Sequence, residues 1–292
     1  MLLCAGLGTR LRPLSAWRAK PMLPLGDRPI LAHIVDRVRA AGGPIALNTY
    51  HRAEDVRAFA RDARIAVCEE RELLGTAGGL SNAARALGEG DVLVWNGDIL
   101  ADVDVGALLA AHATGGDAAT LAIVAAAAGT GTVGVDASGG VVRLRRETTA
   151  PGEVQGGDFI GVHVVGAPLR RLLPAVGCMV GDVYLPALRR GVRLGVRAVT
   201  RFADIGTPER YVTANLDWLG AREAWLGSGA QVAAGVRVRR SVVGAGARVT
   251  GSGALERCVV WEGAEARAPL ADAVIMRDGV VHVGGPGAAR DP

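Results

Sequence analysis

Over residues 1–113, short apolar runs alternate with stretches of helical spacing, and that alternation leaves few folds open. Residues 1–5 are apolar and stop at Gly6. Residues 29–41 carry apolar side chains at helical intervals and end at Gly42-Gly43, after which 44–50 (PIALNTY) reads as a strand. Residues 53–63 are helical, 65–69 a strand, 79–87 helical, and 91–95 (DVLVW) a strand running into Asn96-Gly97-Asp98. Residues 105–113 are helical again. A period that switches between 2 and 3.6 at this pitch builds strand-helix-strand units, whose strands pair in parallel. The expected class is α/β: a Rossmann-like, doubly wound, mostly parallel sheet with helices on both faces.

Further on, 119–126 reads as a strand, 131–136 and 140–145 as a hairpin turning at Ser138-Gly139, and 159–165 as another apolar strand. Helices are expected over 182–191 and 210–220. Beyond Gly227 the texture changes, because Val232, Val238, Val243, Val249, Leu255 and Val260 recur at steps of five or six with Gly and Ala between them. A period near six marks a parallel β-helix of hexapeptide repeats, three rungs to a coil, so the stretch to Val283 would hold roughly three coils. An irregular meander with glycine-rich turns is the alternative. The expected organisation is therefore a domain over 1–220, a short β-helix over 228–285, and a disordered tail over 286–292.

The chain's 292 residues, half of them apolar, suffice for two domains with a sizeable core. Its net charge of +4 comes from scattered arginine, the densest groups being 143–146 and 237–240, and only 4% of residues are aromatic. Neither a basic arm nor a stacking platform is present, so no nucleic-acid polymer is expected as a partner. Cys4, Cys68, Cys178 and Cys258 form no CxxC or Cys/His cluster, which argues against a zinc site or disulfide framework and reads as small buried hydrophobes. No signal-like segment and no stretch of 18 apolar residues occurs, so no membrane partner and a cytoplasmic location are expected.

Of the 33 basic residues one, Lys20, is lysine and the other 32 are arginine. That lysine closes a segment opened by Gly6 and Gly8. Glycines in a strand-to-helix turn let backbone N–H groups approach a phosphate, and the helix terminus adds a favourable dipole. Arg10 offers a planar fork for phosphate oxygens and Lys20 a compact point charge. Asp98 directly follows an apolar strand, which puts it at the carboxyl edge of the sheet, where doubly wound folds bind ligands. Asp204 is a second carboxylate between an apolar segment and a turn. Magnesium (Mg2+) bridging a nucleotide needs only one or two carboxylates. The plainer readings are a surface arginine, a solvated lysine, and aspartates that cap helices or turns.

Four motifs in order carry a resemblance: GLGTRLRPLS with Lys20-Pro21-Met22-Leu23-Pro24; Leu74-Gly75-Thr76-Ala77-Gly78-Gly79; Asn96-Gly97-Asp98; and Asp204-Ile205-Gly206-Thr207-Pro208-Glu209-Arg210-Tyr211. Together they resemble the sugar-1-phosphate nucleotidylyltransferases across residues 1–220, and the hexad tail resembles the left-handed β-helix many members carry. The resemblance implies transfer of a nucleotidyl group from a nucleoside triphosphate to a sugar 1-phosphate, with pyrophosphate released. By it, Leu3, Ala5, Gly6, Gly8 and Thr9, with a loop containing Thr76, Ala77 and Gly78, hold the nucleotide. Arg10, Lys20 and Asp98 are catalytic, and Asp98 and Asp204 bind Mg2+. Gly134, Glu147 and Gly161 face the sugar phosphate.

Departures bear on the sugar. Ala19 stands where family members usually have proline, and many members carry a Glu-Lys-Pro motif where this chain has Arg145-Arg146-Glu147-Thr148-Thr149. Glu147 would keep the hydroxyl contact, with Arg146 or Arg143 on the phosphate. Residues 157–163 resemble subfamilies lacking that motif, and His163 reads as a packed core or pocket-wall residue. Overall resemblance to short bacterial and archaeal guanylyltransferases favours GTP with mannose 1-phosphate. UTP or dTTP with glucose 1-phosphate is the alternative, and a non-catalytic nucleotide-sugar-binding regulatory subunit an alternative of another class. Acyl transfer on the β-helix is disfavoured, since the tail holds only His282, and the coils read instead as a homo-oligomer surface.

Overall fold

The computed structural model describes residues 1–284; the expected tail over 286–292 lies outside them. The chain divides into two units, the first comprising Met1–Leu7, Ala19–Pro21 and Leu31–Asp204, the second Gly8–Arg18, Met22–Ile30 and the chain from Ile205 onward.

The first unit is built on β1 (Leu2–Leu3), α1 (Ile30–Val38), β2 (Ala46–Thr49), α2 (Ala53–Ala63), β3 (Ala66–Glu69), α3 (Gly75–Asn82), α4 (Ala84–Leu87) and β4 (Val92–Asn96). Two residues suffice for β1 because it is sandwiched, Leu2 lying opposite both Leu47 and Trp95 in parallel register. After β5 (Ile99–Ala101) and α5 (Val105–Gly115) come β6 (Ala119–Ala126), β7 (Val133–Asp136), β8 (Val141–Leu144), β9 (Glu147–Thr148) and β10 (Glu153–Val165). Helix α6 (Leu185–Arg189), entered through a wide helical turn over Met179–Tyr184, leads to β11 (Leu194–Val199) and β12 (Phe202–Asp204).

Ten strands make one sheet in the order β9-β8-β7-β10-β4-β1-β2-β3, with β6 on β10 and β11 on β6. The sheet core around β1 is parallel, as the alternating sequence requires. Past β4 most pairings are antiparallel, β10 running against β4, β6 and β7, whereas β11 lies parallel on β6; Ser138-Gly139 lets β7 and β8 close only as a hairpin. The sheet is therefore mixed rather than mostly parallel. Its core is aliphatic, with Leu2, Leu47, Val94, Leu121, Val162 and Leu194 inaccessible to solvent. His163 is buried in the same layer with its Nδ1 2.6 Å from the Tyr184 hydroxyl.

Helix α3 starts four residues before the expected 79–87 helix, so Thr76, Ala77 and Gly78 lie in a helix and not in a loop. Glycine here permits contact between backbones: a Cβ at Gly78 would collide with the Ala175 carbonyl, and the Ala77 N–H donates to the Gly177 carbonyl at 2.9 Å. Local propensity disfavours this helix, and packing overrides it.

In the second unit α7 (Pro208–Leu219) opens with proline at its first position and Thr207 as its N-cap, the hydroxyl accepting from the Arg210 N–H at 3.3 Å. Its buried Tyr211 donates to the Pro24 carbonyl at 2.6 Å, and Asn215 accepts from the Gly26 N–H at 3.0 Å. Strands β13 (Ala224–Leu226), β14 (Gln231–Val232), β15 (Val236–Arg239), β16 (Ser241–Val243), β17 (Arg248–Val260) and β18 (Glu265–Met276) then pair in parallel. The register is regular: Ala224 faces Ser241, Gln231 faces Arg248 and Arg248 faces Glu265, each 17 residues on. Beyond a break between Gly251 and Leu255 the step shortens, Leu255 facing Leu270. The last strand, β19 (Gly279–His282), returns antiparallel on β18, so parallel stacking stops short of Val283. Arg277 and Asp278 make the two-residue hairpin turn, with Met276 paired to Gly279. Among the described residues no helix is long and apolar enough to cross a membrane.

Candidate active site

At the carboxyl ends of β1, β2 and β4 lies a cavity of about 300 Å³, lined by residues that include Leu3, Ala5, Gly6, Lys20, Thr76 and Asp98. Parallel pairing ends all three strands on one edge, which is why residues far apart in sequence meet there.

Asp98 sits in the turn between β4 and β5. Strand β12 pairs antiparallel with β5 and sets Asp204 opposite Ile99, one residue from Asp98. Lys20 reaches the same place: its Nζ donates to Asp98 Oδ2 and stands 3.9 Å from Asp204 Oδ1, with only 11% of its side chain exposed. The Ala19 N–H, donating to Asp55 Oδ2 of α2 at 3.1 Å, holds the segment in position. Two carboxylates thus converge on one ammonium.

That convergence tests the donor set for a metal. The position already draws a cation, and its ligands are oxygens, which suit a hard ion such as magnesium. Among the described residues no group of three or more His, Cys, Asp or Glu forms a cage, so a magnesium ion here would take Asp98 and Asp204 and leave its other positions to water and phosphate oxygen.

The remaining cavity wall is a buried polar network. The Cys4 N–H donates to Asn48 Oδ1 at 2.7 Å, Asn48 Nδ2 donates to Glu70 Oε1 at 2.6 Å, and the Leu74 N–H donates to Glu70 Oε2 at 3.1 Å. Asn48, Glu70 and Asn96 all line the cavity; Asn96 entered the sequence reading only as part of its motif, and Asn48 and Glu70 did not stand out. The available signal was Asn48, a polar residue inside the apolar run PIALNTY; such a residue, once buried, must have partners. Cys4 also lines the cavity, but burial holds its thiol well above the usual range, so it is no nucleophile.

Other expected residues fall elsewhere. Ala77 and Gly78 are buried in α3, while the Thr76 hydroxyl accepts from the Met179 N–H at 2.8 Å. Gly161 has φ 77° and marks the register break in β10; a Cβ there would collide with the Asn96 side-chain amide, so this glycine sets where Asn96 stands. Gly134 packs against the carboxylate of Glu153, which Arg143 grips with bonds of 2.8 and 2.9 Å, holding it down to about 2. Arg143 also donates to the Gly131 and Thr130 carbonyls at 2.8 and 3.0 Å, so its fork is filled. Glu147 accepts two bonds from Arg189, at 2.6 and 2.7 Å, which lowers its carboxyl, and borders a separate cavity with Arg145 and Arg146. Gly8, Thr9 and Arg10 belong to the second unit, Thr9 and Arg10 in a short 3-10 turn over Thr9–Leu11. His163 lies off this wall, its ring driven down to about 3 by burial.

The family model described as nucleotidyl transferase matches residues 1–146. An N-acetylmuramate alpha-1-phosphate uridylyltransferase from Caulobacter vibrioides is 33% identical over 181 residues, 56% of this chain and 73% of that one. The chain belongs to the sugar-1-phosphate nucleotidylyltransferase family. A family member named mannose-1-phosphate guanylyltransferase, from Mycobacterium tuberculosis, is 30% identical over 230 residues, or 74% of this chain. The match spans 63% of that relative's own length. The family fold is seen in the crystal structure titled HddC from Yersinia pseudotuberculosis complexed with GMP-PN, with a TM-score of 0.61 at 21% identity over 74% of this chain and 97% of that one.

Proposed function

We propose that this family member is a magnesium-dependent enzyme joining GTP and mannose 1-phosphate into GDP-mannose and pyrophosphate. The observation that carries the reading is Lys20 held by Asp98 and Asp204 beside a cavity at the strand ends. In the reaction a phosphate oxygen of the sugar 1-phosphate bonds to the α-phosphorus of the triphosphate while the bond to the β-phosphate bridging oxygen breaks. Both reactants are anions, so positioning and neutralisation carry the rate.

The backbone at Leu3, Ala5 and Gly6, together with Thr76, would seat the nucleotide. Lys20 would pass from its carboxylates to the phosphates, stabilising charge on the equatorial oxygens as the new bond forms. Asp98 and Asp204 would hold magnesium, which neutralises phosphate charge when bound. Gly161 would act by placing Asn96, whereas Gly134 and Glu147 are assigned to the sugar phosphate on the motif alone. Arg10, likewise on its motif, is assigned to the leaving pyrophosphate, and Gly8 and Thr9 to the nucleotide. The mycobacterial relative's name supports GTP with mannose 1-phosphate.

We further propose a catalytic domain over 1–220 and a short left-handed β-helix, shorter than the expected 228–285, that runs from 228 to the end of β18 at Met276 and serves as a homo-oligomer surface. The recurring 17-residue parallel register supports the coil. Four free cysteines suit a cytoplasmic location. Pyrophosphate release across GTP, UTP, dTTP and ATP with mannose and glucose 1-phosphates, with and without chelator, tests the activity. Folded protein that turns over no combination would sink it.

A further inference from the structure

The segment that carries Arg10 packs with the tail of the chain. Gly8–Arg18 lies between β1 and α1 in sequence, yet it falls in the second unit with α7 and the coil. It is tied to itself: the Leu11 N–H donates to the Gly8 carbonyl at 3.0 Å, the Ser15 hydroxyl donates to the same carbonyl at 2.7 Å, and the Arg18 N–H donates to the Leu14 carbonyl at 3.2 Å. Leu11 and Leu14 are inaccessible to solvent. A segment bound and buried in this way moves as one piece, so what fixes Arg18 also fixes Arg10.

Arg18 is fixed by a corner of the coil. Its guanidinium donates to Glu262 and lies 4.9 Å from the centroid of the Trp261 ring, a cation–π distance. Trp261 is 5% exposed, and its Nε1–H donates at 3.1 Å to the Tyr211 hydroxyl of α7. An ion pair as exposed as Arg18 and Glu262, at 29% and 42%, adds little to stability; what it adds is a fixed position.

The 17-residue register shows that this corner is a departure. Its counterparts are Gly227-Ser228-Gly229-Ala230 and Gly244-Ala245-Gly246-Ala247, whereas the third corner is Trp261-Glu262-Gly263-Ala264. All three close by the same turn, the fourth N–H donating to the first carbonyl at 3.0, 3.2 and 3.1 Å with the third residue a glycine at φ 71°, 64° and 63°. A Cβ at Gly227 or Gly244 would collide with the backbone of the next coil, at Ala245 and Glu262 respectively. Among the described residues no coil stacks on the third corner, because the chain turns back after Met276. Position 261 is thereby free to hold a tryptophan, and both it and the carboxylate beside it meet Arg18.

Resting on the assignment of Arg10 to the leaving pyrophosphate, we propose that Arg18, Trp261 and Glu262 are positioning residues for the transfer reaction. The last corner of the coil latches the Gly8–Arg18 segment, so that the Arg10 fork is set before the phosphates arrive. The coil then serves the chemistry as well as assembly.

Kinetics in both directions test the latch, with the substrate pair that the wild type turns over fastest. Arg18→Met should raise the KM for pyrophosphate in the reverse reaction and lower forward kcat, each roughly 10-fold, while the KM for the sugar 1-phosphate stays within about twofold. Glu262→Gln, which keeps the shape and removes the charge, should act in the same direction at roughly threefold, and it decides the matter if Arg18→Met does not fold. Arg18→Lys keeps the ion pair and loses the flat face, and should lose less than Arg18→Met. In an Arg10→Met background these substitutions should be silent, because they act through that side chain. Thermal melts identify the folded variants. Pyrophosphate kinetics unchanged in the folded variants, a loss spread equally over both substrates, or an effect undiminished in Arg10→Met would overturn the latch and leave the Arg10 assignment standing. Arg10→Met protein that handles pyrophosphate as the wild type does removes both, as does folded wild type that turns over no pair.

Discussion

Replacing Lys20 by methionine keeps most of the aliphatic stem and deletes the ammonium. In the folded protein that group donates to Asp98 and stands 3.9 Å from Asp204. Two unit charges at that separation attract by about 4 kcal/mol at an effective dielectric of ~20. Desolvation of the lysine offsets much of this, and the two aspartate side chains, 27% and 23% exposed, are partly screened by water. A net stability loss of about 1–3 kcal/mol follows, or a melting temperature lower by ~2–4 °C for each kcal/mol. Turnover should fall much further. A fixed charge that meets phosphate oxygens in the transition state is worth roughly a thousandfold, about 4 kcal/mol of barrier. Pyrophosphate release at saturating GTP and mannose 1-phosphate, beside a circular dichroism melt, reads both quantities. Lys20→Arg is the companion variant. It keeps the charge but spreads it over a wide rigid fork, and should lose roughly 10- to 100-fold in turnover with a smaller change in melting. Lys20→Met protein that is folded and turns over within tenfold of wild type would refute the reasoning.

Asp98→Asn leaves the lysine with Asp204 alone and removes a proposed metal ligand; turnover should drop roughly 100- to 1000-fold and the magnesium needed for half-maximal rate should rise, and an unchanged magnesium dependence would count against the role. Gly161→Ala puts a Cβ at φ 77° against the Asn96 amide, so about 1–3 kcal/mol of stability should go together with activity, and a melt within 1 °C of wild type would contradict the geometry. His163, held down to about 3 by burial, is neutral in the folded protein and takes a proton near its ordinary 6.5 when unfolded. The unfolded state therefore binds the extra proton between those values, so this contribution is whole above pH 6.5 and is lost as pH falls towards 3, with a slope of at most ~1.4 kcal/mol per pH unit. His163→Gln should flatten that limb in urea titrations run from pH 7 to 4, and an unaltered slope would show that the ring is not the group responsible.

The parallel half of the sheet was legible because βα alternation is a local pattern, and 53–63 and 119–126 agree with α2 and β6 to the residue. The start of α3 was not. Gly75 and Gly78 read as loop residues until the backbone at Gly177 and Ala175 is brought against them. Asn48 and Glu70 were passed over for a related reason, since a buried polar residue declares its purpose only through partners supplied by other strands. Glu147 was placed by motif position, yet the fold sets Arg189 upon it.

By itself the sequence determined the α/β class, the hexad texture of the tail, and the residue types able to meet phosphate, with Lys20 alone among arginines. These are properties of spacing and chemistry along the chain. Only the tertiary structure decided that Asp204 stands beside Asp98, because that neighbourhood arises from the pairing of β12 with β5, two strands about a hundred residues apart. It also decided that Lys20 lies with both carboxylates while Arg143 is consumed by Glu153. Residue type says what a side chain can bind, and long-range register decides which partner reaches it.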